Sequence, residues 1–382
     1  MGRQAALPYG RQWVDEQDID AVVEVLRGDW LTTGPAVDGF ELGLAEHAGV
    51  RHAVAVNSGT AALHCVYAAA GVGPGNQILT TPLTFAATAT AALHLGARVS
   101  FADIEPATGL IDPDAVAAVV DRRTRLVVPV DFAGHLADYA SIGKLAAQAG
   151  CDVVSDAAHA FGATRGGRTS AQLADAATTS FHPVKGFTTG EGGAVLTQRS
   201  DWAEGVARFR NHGIVKEPGS LLHEGGAGHY EVQSLGLNYR LPDILCALGA
   251  SQLGRFDGFL ERRRAIAAHY DREFASLGAI ETPTTGRDCE PSWHLYVIRV
   301  FEARRRDAFF DALREAGLGV QLHYPPVHLH PLFEDLGFRR GQFPMAEDFA
   351  ARAISLPLFP AMSDDDTVRV IETVHACVRD VL

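Results

Sequence analysis

The chain has 382 residues, room for a large α/β domain and a smaller companion. Apolar residues make up 47% and charged residues 21%, the balance of a well-packed globular enzyme. A net charge of −13 lacks the basic footprint of nonspecific nucleic-acid or anionic-membrane binding, although backbone N–H groups at a helix start can still hold a phosphorylated ligand.

No apolar run approaches the roughly 18 residues of a membrane span. The opening MGRQAALPYGRQ has no apolar leader core, so the expectation is a cytoplasmic protein with no membrane partner. Five cysteines, odd in number and without a C-x-x-C pair, support neither a disulfide framework nor a cysteine zinc site.

In chain order, residues 18–28 read as an amphipathic helix closed by Gly28. HAVAVNSG (52–59) reads as a strand entering a turn, and 60–71 as a helix. QILTTPLTF (77–85) reads as a strand, followed by an alanine-rich helix to Leu95. RVSFADI and a helix near 113–121 follow, then RLVVPVDF and a helix near 140–149, then CDVVSDAAH, SFHPVK and GGAVLTQ. Strands rich in Val, Ile and Leu on both faces, alternating with helices, predict a mainly parallel sheet covered on both sides.

Beyond about 245 the pattern changes. Residues 247–278 read as one long helix. HLYVIRV (294–300) reads as a strand, 305–317 as a helix, VQLHY (320–324) as a strand, and two terminal helices close the chain. The last helix opens on a Ser363/Asp366 capping box and carries the stripe Val368, Ile371, Val374, Val378 and Leu382. The division expected is 1–250 as the large domain and 251–382 as a small α+β domain.

Three segments invite chemistry. VNSGTAAL takes a strand into a helix start, where the amides of Gly59, Thr60 and Ala61 and the hydroxyls of Ser58 and Thr60 suit a phosphate. Asp156 ends an apolar strand, where it either caps a helix or holds a protonated ring nitrogen. Lys185 follows Pro183 and precedes Gly190, Gly192 and Gly193, a setting in which burial makes an amine nucleophilic. Singly each has a bland reading. Together they are the three fixtures pyridoxal phosphate (PLP) requires: phosphate anchor, pyridinium partner and amine.

NSGTAAL, TPLTFAATATAAL, FADIEPATG, DAAHAFGA, SFHPVKGFTTGEGGA, LGLNYRLPDILCALGASQL and ISLPLFP, spread over essentially the whole chain, resemble the DegT/StrS family of sugar aminotransferases. That resemblance implies an α/β, fold-type-I PLP-dependent transferase (aspartate aminotransferase-like), with a mainly parallel seven-stranded sheet. It implies PLP, alternating with its pyridoxamine form, carried on Lys185, which also moves the proton. Asp156 is then the partner of the ring nitrogen, Phe85 lies on the ring face, and His159 sits near the phenolic oxygen. Gly59, Thr60, Ala61 and Ser180 hold the phosphate, and Asn238 reaches the neighbouring subunit's cofactor in a homodimer with shared sites. L-glutamate is the implied donor and a nucleotide sugar the acceptor.

LPYGRQWVDEQDIDAVVEVLRGDWLTTGP, His182-Pro183-Val184-Lys185 and QLHYPPVHLHPLFEDLGF resemble more narrowly the C-4 aminotransferases of pseudaminic acid biosynthesis, which act on a UDP-linked 2-acetamido-2,6-dideoxy-hexos-4-ulose. Gly186 departs from the larger residue usual there, which leaves more room beside the lysine. Tyr9, Thr33, Glu191, Arg210, His323, Tyr324 and His328 are expected substrate contacts, with Arg240 a further candidate. His323, His328 and His330 suit a metal poorly, because Pro325 and Pro326 interrupt them and no acidic or cysteine ligand adjoins, so no metal is expected.

Overall fold

The computed structural model describes residues 6–223 and 225–382. Met1–Ala5, the start of the segment read for a leader, lie outside the described residues. Helix α1 (Glu16–Arg27) starts on Asp15, whose carboxylate accepts from the amides of Gln17 and Asp18, and ends at Gly28 as its sequence predicts. Helix α2 (Pro35–Ala48) follows, with proline in its first turn, where no N–H is needed.

Seven strands form the central sheet: β1 (His52–Val56), β2 (Gln77–Thr80), β3 (Arg98–Phe101), β4 (Thr124–Val128), β5 (Asp152–Asp156), β6 (Ala176–Ser180) and β7 (Gly193–Thr197). Their order is β1-β7-β6-β5-β4-β2-β3, and only β7 runs against its neighbours. Side-chain alternation explains why both faces are apolar. Ala53, Ala55, Val127 and Val153 join one core, with α2 and the helix Tyr139–Ala149. Val54, Val56, Val128 and Val154 join the other, with α3 (Gly59–Ala69) and α4 (Ala87–His94).

The C-terminal region has its own core on a three-stranded antiparallel sheet of Ile280–Glu281, Tyr296–Val300 and Ala353–Leu356. Residue 250, where the sequence reading divides the chain, falls within the helix Asp243–Gly254.

Four local expectations are corrected. The strand read over 77–85 stops at Thr80, since Pro82 has no N–H to give a ladder. The helix read over 247–278 is two, Asp243–Gly254 and Phe256–Phe274, with Arg255 at φ −110° and ψ 0° between them. Gly254 weakens the helix there, and Arg255 is held by ion pairs to Asp15 and Asp18. VQLHY forms only a bridge from Gln321 to Ser355, and Ala353–Leu356 takes the strand position beside Tyr296–Val300. The last helix, Asp364–Val381, has the predicted capping box, but Val368 faces solvent and Val370 is buried in its place.

Candidate active site

Every strand of the sheet except β7 points its C-terminal end to one edge, where ligands of open α/β sheets bind. There a cavity of about 430 Å³ is lined by Gly59, Thr60, Phe85, Asp156, His159, Ser180, Lys185, Glu191, Tyr9, His323 and Tyr324, among others. Eleven residues named from the sequence therefore meet in one place.

The phosphate end is built at the start of α3. Ser58 caps the helix by accepting from the amide of Ala61 at 3.0 Å. The first-turn amides of Gly59 and Thr60 have no partner within the helix, and both residues line the cavity. Ala61 does not line it: it is buried, and its N–H is taken by the cap. A Cβ on Gly59 would sit 3.0 Å from Cβ of Ser180, and one on Gly193 would sit 2.5 Å from the Ser58 carbonyl oxygen. Only glycine lets β7 and the helix start approach this closely.

Asp156 is buried at the end of β5. Its carboxylate accepts from the Thr88 hydroxyl at 2.7 Å and from the Ala158 amide at 3.2 Å. Burial raises its pKa, while Thr88, the Ala158 amide and the charge of Lys185 pull it down. Thr88, itself contacted by the Thr84 hydroxyl at 2.8 Å, went unnoticed in the sequence, though Thr84 and Thr88 stand only four residues apart.

Lys185 follows β6 in a turn whose N–H donates to the His182 carbonyl at 2.8 Å. Its amine faces the cavity. Burial lowers its pKa to about 8, and Asp156 opposes that shift. The lowered value makes an amine partly unprotonated near neutrality, as a nucleophile requires.

The opposite wall is uncharged. His159 is held on both sides: Nε2 lies 2.9 Å from the Tyr324 hydroxyl and Nδ1 accepts the Ala133 amide at 3.4 Å. His294, absent from the sequence-based set, packs with its ring centroid 4.4 Å from that of His159. His159 is pushed well below the ordinary histidine range by burial and then by Lys185 and His323, and His294 by burial and then by His159 and Lys185; His323 is lowered to about 4 by burial and Lys185. All three are neutral at neutral pH. Phe85 stands at the exposed rim, 6.2 Å from the Tyr324 ring.

Other expected contacts lie elsewhere in this chain. Arg210 is committed to Glu41 and to the Ala55 carbonyl, and Arg240 to Asn211 at 2.7 Å. Thr33 is exposed at φ +56°, outside the cavity. His328 is buried against Glu347 at 3.0 Å, whereas His323 bonds Ser355 at 2.8 Å, so the loop histidines serve separate partners. Among the described residues no group of three or more His, Cys, Asp or Glu is placed to hold a metal ion. Asn238 is exposed, its carbonyl 3.5 Å from the Asn57 amide nitrogen. Gly186 gives no extra room in the cavity: a Cβ there would meet the Phe256 ring at 3.0 Å.

PLP fits this donor set. Free helix-start amides suit its phosphate, the buried Asp156 its ring nitrogen and the lysine amine its aldehyde carbon.

Residues 12–375 match the DegT/DnrJ/EryC1/StrS aminotransferase family. The chain belongs to that family. It is 39% identical to the spore coat polysaccharide biosynthesis protein SpsC of Bacillus subtilis, over 99% of this chain and 98% of that one. It is 37% identical to the UDP-4-amino-4,6-dideoxy-N-acetyl-beta-L-altrosamine transaminase of Campylobacter jejuni, covering 98% of each. Helicobacter pylori PseC, an aminotransferase of pseudoaminic acid biosynthesis, superposes with a TM-score of 0.92 at 32% identity, over 98% of this chain and 100% of that one. Similar chains have been solved in PLP and PMP forms. The protein is a PLP-dependent sugar aminotransferase of fold type I. Among the described residues no helix is long and apolar enough to cross a membrane.

Proposed function

We propose that the protein transfers the amino group of L-glutamate to the C-4 keto carbon of a UDP-linked 2-acetamido-2,6-dideoxy-hexos-4-ulose, in the cytoplasm, as a step of pseudaminic acid-type sugar synthesis. The observation that carries the reading is the buried Lys185 amine, with its lowered pKa, opposite Asp156 in one cavity. The similarity to the Campylobacter transaminase and to PseC supports the sugar. SpsC, named for a spore coat polysaccharide, keeps a different 4-keto or 3-keto nucleotide sugar as the second reading. A dehydratase using free pyridoxamine phosphate is disfavoured by Lys185, which such enzymes replace by histidine.

When bound, PLP supplies an electrophilic carbon and an electron-withdrawing ring. Lys185 Nζ would hold the cofactor and would take and return the proton on the reacting carbon. Asp156 keeps the ring nitrogen protonated, and Thr88 holds Asp156 in the ionised form that does so. Gly59, Thr60 and Ser180 would hold the phosphate, Phe85 would meet the ring face, and His159 would act at the phenolic oxygen. Tyr9, Glu191, His323 and Tyr324 face the sugar.

Two chains complete each site in this proposal. Leu222, Tyr230, Val232, Leu235 and Leu237 form a run of exposed apolar side chains leading to Asn238, a surface suited to burial against a second copy.

The test is turnover. Purified protein is incubated with L-glutamate and the UDP-linked 4-keto sugar, or with dTDP-linked 4-keto-6-deoxy and 3-keto-6-deoxy sugars, and products are read by mass spectrometry. The proposal expects the UDP sugar to be aminated with the highest kcat/KM. Turnover of a dTDP sugar alone would overturn the substrate and leave the family chemistry standing.

A further inference from the structure

The sheet edge explains how Asp156 and Ser180 are placed, but Lys185 lies five residues past β6, in a turn, where strand register no longer holds it. What does hold it is Arg263, from the helix Phe256–Phe274. Its Nη2 donates to the Lys185 carbonyl at 3.1 Å. Its Nη1 reaches the carbonyls of Leu358 at 3.0 Å, Trp293 at 3.3 Å and His294 at 3.4 Å.

We propose that Arg263 is a positioning residue for Lys185: one guanidinium ties the lysine's own carbonyl to three carbonyls of the C-terminal region and so sets the direction from which the Lys185 side chain enters the cavity. The inference rests on the reading of Lys185 as the cofactor-bearing amine.

Arg263 is only 2% exposed, and among the described residues no acidic side chain pairs with it. A buried cation without an anion is costly, and an apolar side chain of similar length would pack a helix without that cost. The feature a hydrocarbon cannot supply is a planar fork whose donors point in fixed, divergent directions. Here that fork joins the lysine turn to His294, which lines the same cavity, and to Leu358 of the C-terminal core. With its amide bound to His182 and its carbonyl to Arg263, the Lys185 backbone is fixed at both ends.

Arg262 provides the internal control. It lies on the same helix and binds the Met362 carbonyl at 2.7 Å and the Asp364 carboxylate at 2.8 Å, docking the helix to the C-terminal region without touching Lys185.

The experiment compares Arg263→Lys, Arg263→Met and Arg262→Met in the full-length, PLP-loaded protein. It reads kcat and KM for the keto sugar, the pH midpoint of the visible absorption band, and the thermal midpoint of the cofactor-free chain. A lysine cannot reach carbonyls on two sides, so Arg263→Lys is expected to lower kcat by about 10- to 100-fold, leave KM within about twofold and move the absorption midpoint. Arg262→Met is expected to lower the thermal midpoint alone. The proposal is overturned if Arg263→Lys keeps the kcat and absorption midpoint of Arg262→Met, whatever its thermal midpoint. If Arg263→Met does not fold, Arg263→Lys decides alone. A wild-type protein with no visible band removable by borohydride would refute the Lys185 reading itself, and this inference with it; a normal wild-type band left unmoved by Arg263→Lys refutes only the role of Arg263.

Discussion

The two walls of the cavity are built on different principles. The wall from the sheet edge carries the charge: Asp156 and Lys185 face each other, with the helix start of α3 beside them. Its groups are positioned by strand register and by short ties to neighbours, such as Ser58 to Ala61 and Thr88 to Asp156. The wall from Tyr9, His294, His323 and Tyr324 carries no charge at neutral pH and is assembled by contacts across long stretches of chain. The difference separates two tasks. The charged wall suits the cofactor, which His159 meets from the neutral side, and Tyr9, His323 and Tyr324 suit the substrate. Among the described residues, Asp156 is the one acidic group whose charge acts on the Lys185 pKa.

Substitutions on the charged wall should therefore abolish chemistry, and those on the neutral wall should change which sugar is used. Lys185→Ala is expected to lose at least several orders of magnitude in single-turnover rate with glutamate while still binding PLP, because nucleophile and proton carrier vanish together. Asp156→Asn, which keeps size but not charge, is expected to slow the glutamate half-reaction by about 100-fold or more, with a much smaller loss in PLP affinity by equilibrium dialysis. A near-native rate in Asp156→Asn would make that residue a helix cap and nothing more. Thr88→Val keeps the shape and removes one hydrogen bond to a charged group, about 1.5–3 kcal/mol, so a fall of at most about 10- to 100-fold in the same rate is expected.

A pH titration sharpens the contrast further. Lys185 has its pKa lowered from 10.5 to about 8 in the folded chain, so the folded state binds fewer protons than the unfolded one between those values. Lys185 should accordingly contribute a rise in the stability of the cofactor-free chain from about pH 8 to about 10.5, relieving a penalty of up to about 3 kcal/mol that is fully present below pH 8. It is read as the difference from Lys185→Met, because Cys65, Cys246 and the buried tyrosines, with raised pKa values, lower stability across the same window in both proteins. In Lys185→Met that rise should be absent, as measured by urea unfolding across the range. The histidines of the neutral wall contribute nothing to this window, being displaced towards acid pH, whereas Tyr9 and Tyr324, raised by burial, oppose the lysine's rise as the pH passes about 10.

The charged wall was legible in the sequence for a physical reason. A strand that ends in Asp, or runs into Ser-Gly-Thr, announces its own local geometry, and short motifs therefore held Gly59, Thr60, Asp156 and Lys185, while Ser180 entered through the family resemblance. Ala61 was misplaced because the Ser58 cap uses its amide, a choice between two nearby acceptors that residue order does not settle. The other wall was only partly legible. Tyr9, His323 and Tyr324 entered through family resemblance, whereas His294 and Arg263 went unnoticed: their neighbours are brought together by tertiary folding, with 78 residues between Lys185 and Arg263. Arg210 failed as a substrate contact for the same reason, because its partner Glu41 lies 169 residues away.

The most direct test of this account is where the cofactor attaches. Reducing the PLP-loaded protein with borohydride, digesting it and mapping the pyridoxyl group by mass spectrometry should place that group on Lys185 alone. A pyridoxyl group on any other lysine, or none at all on a protein that nevertheless turns over glutamate, would contradict it.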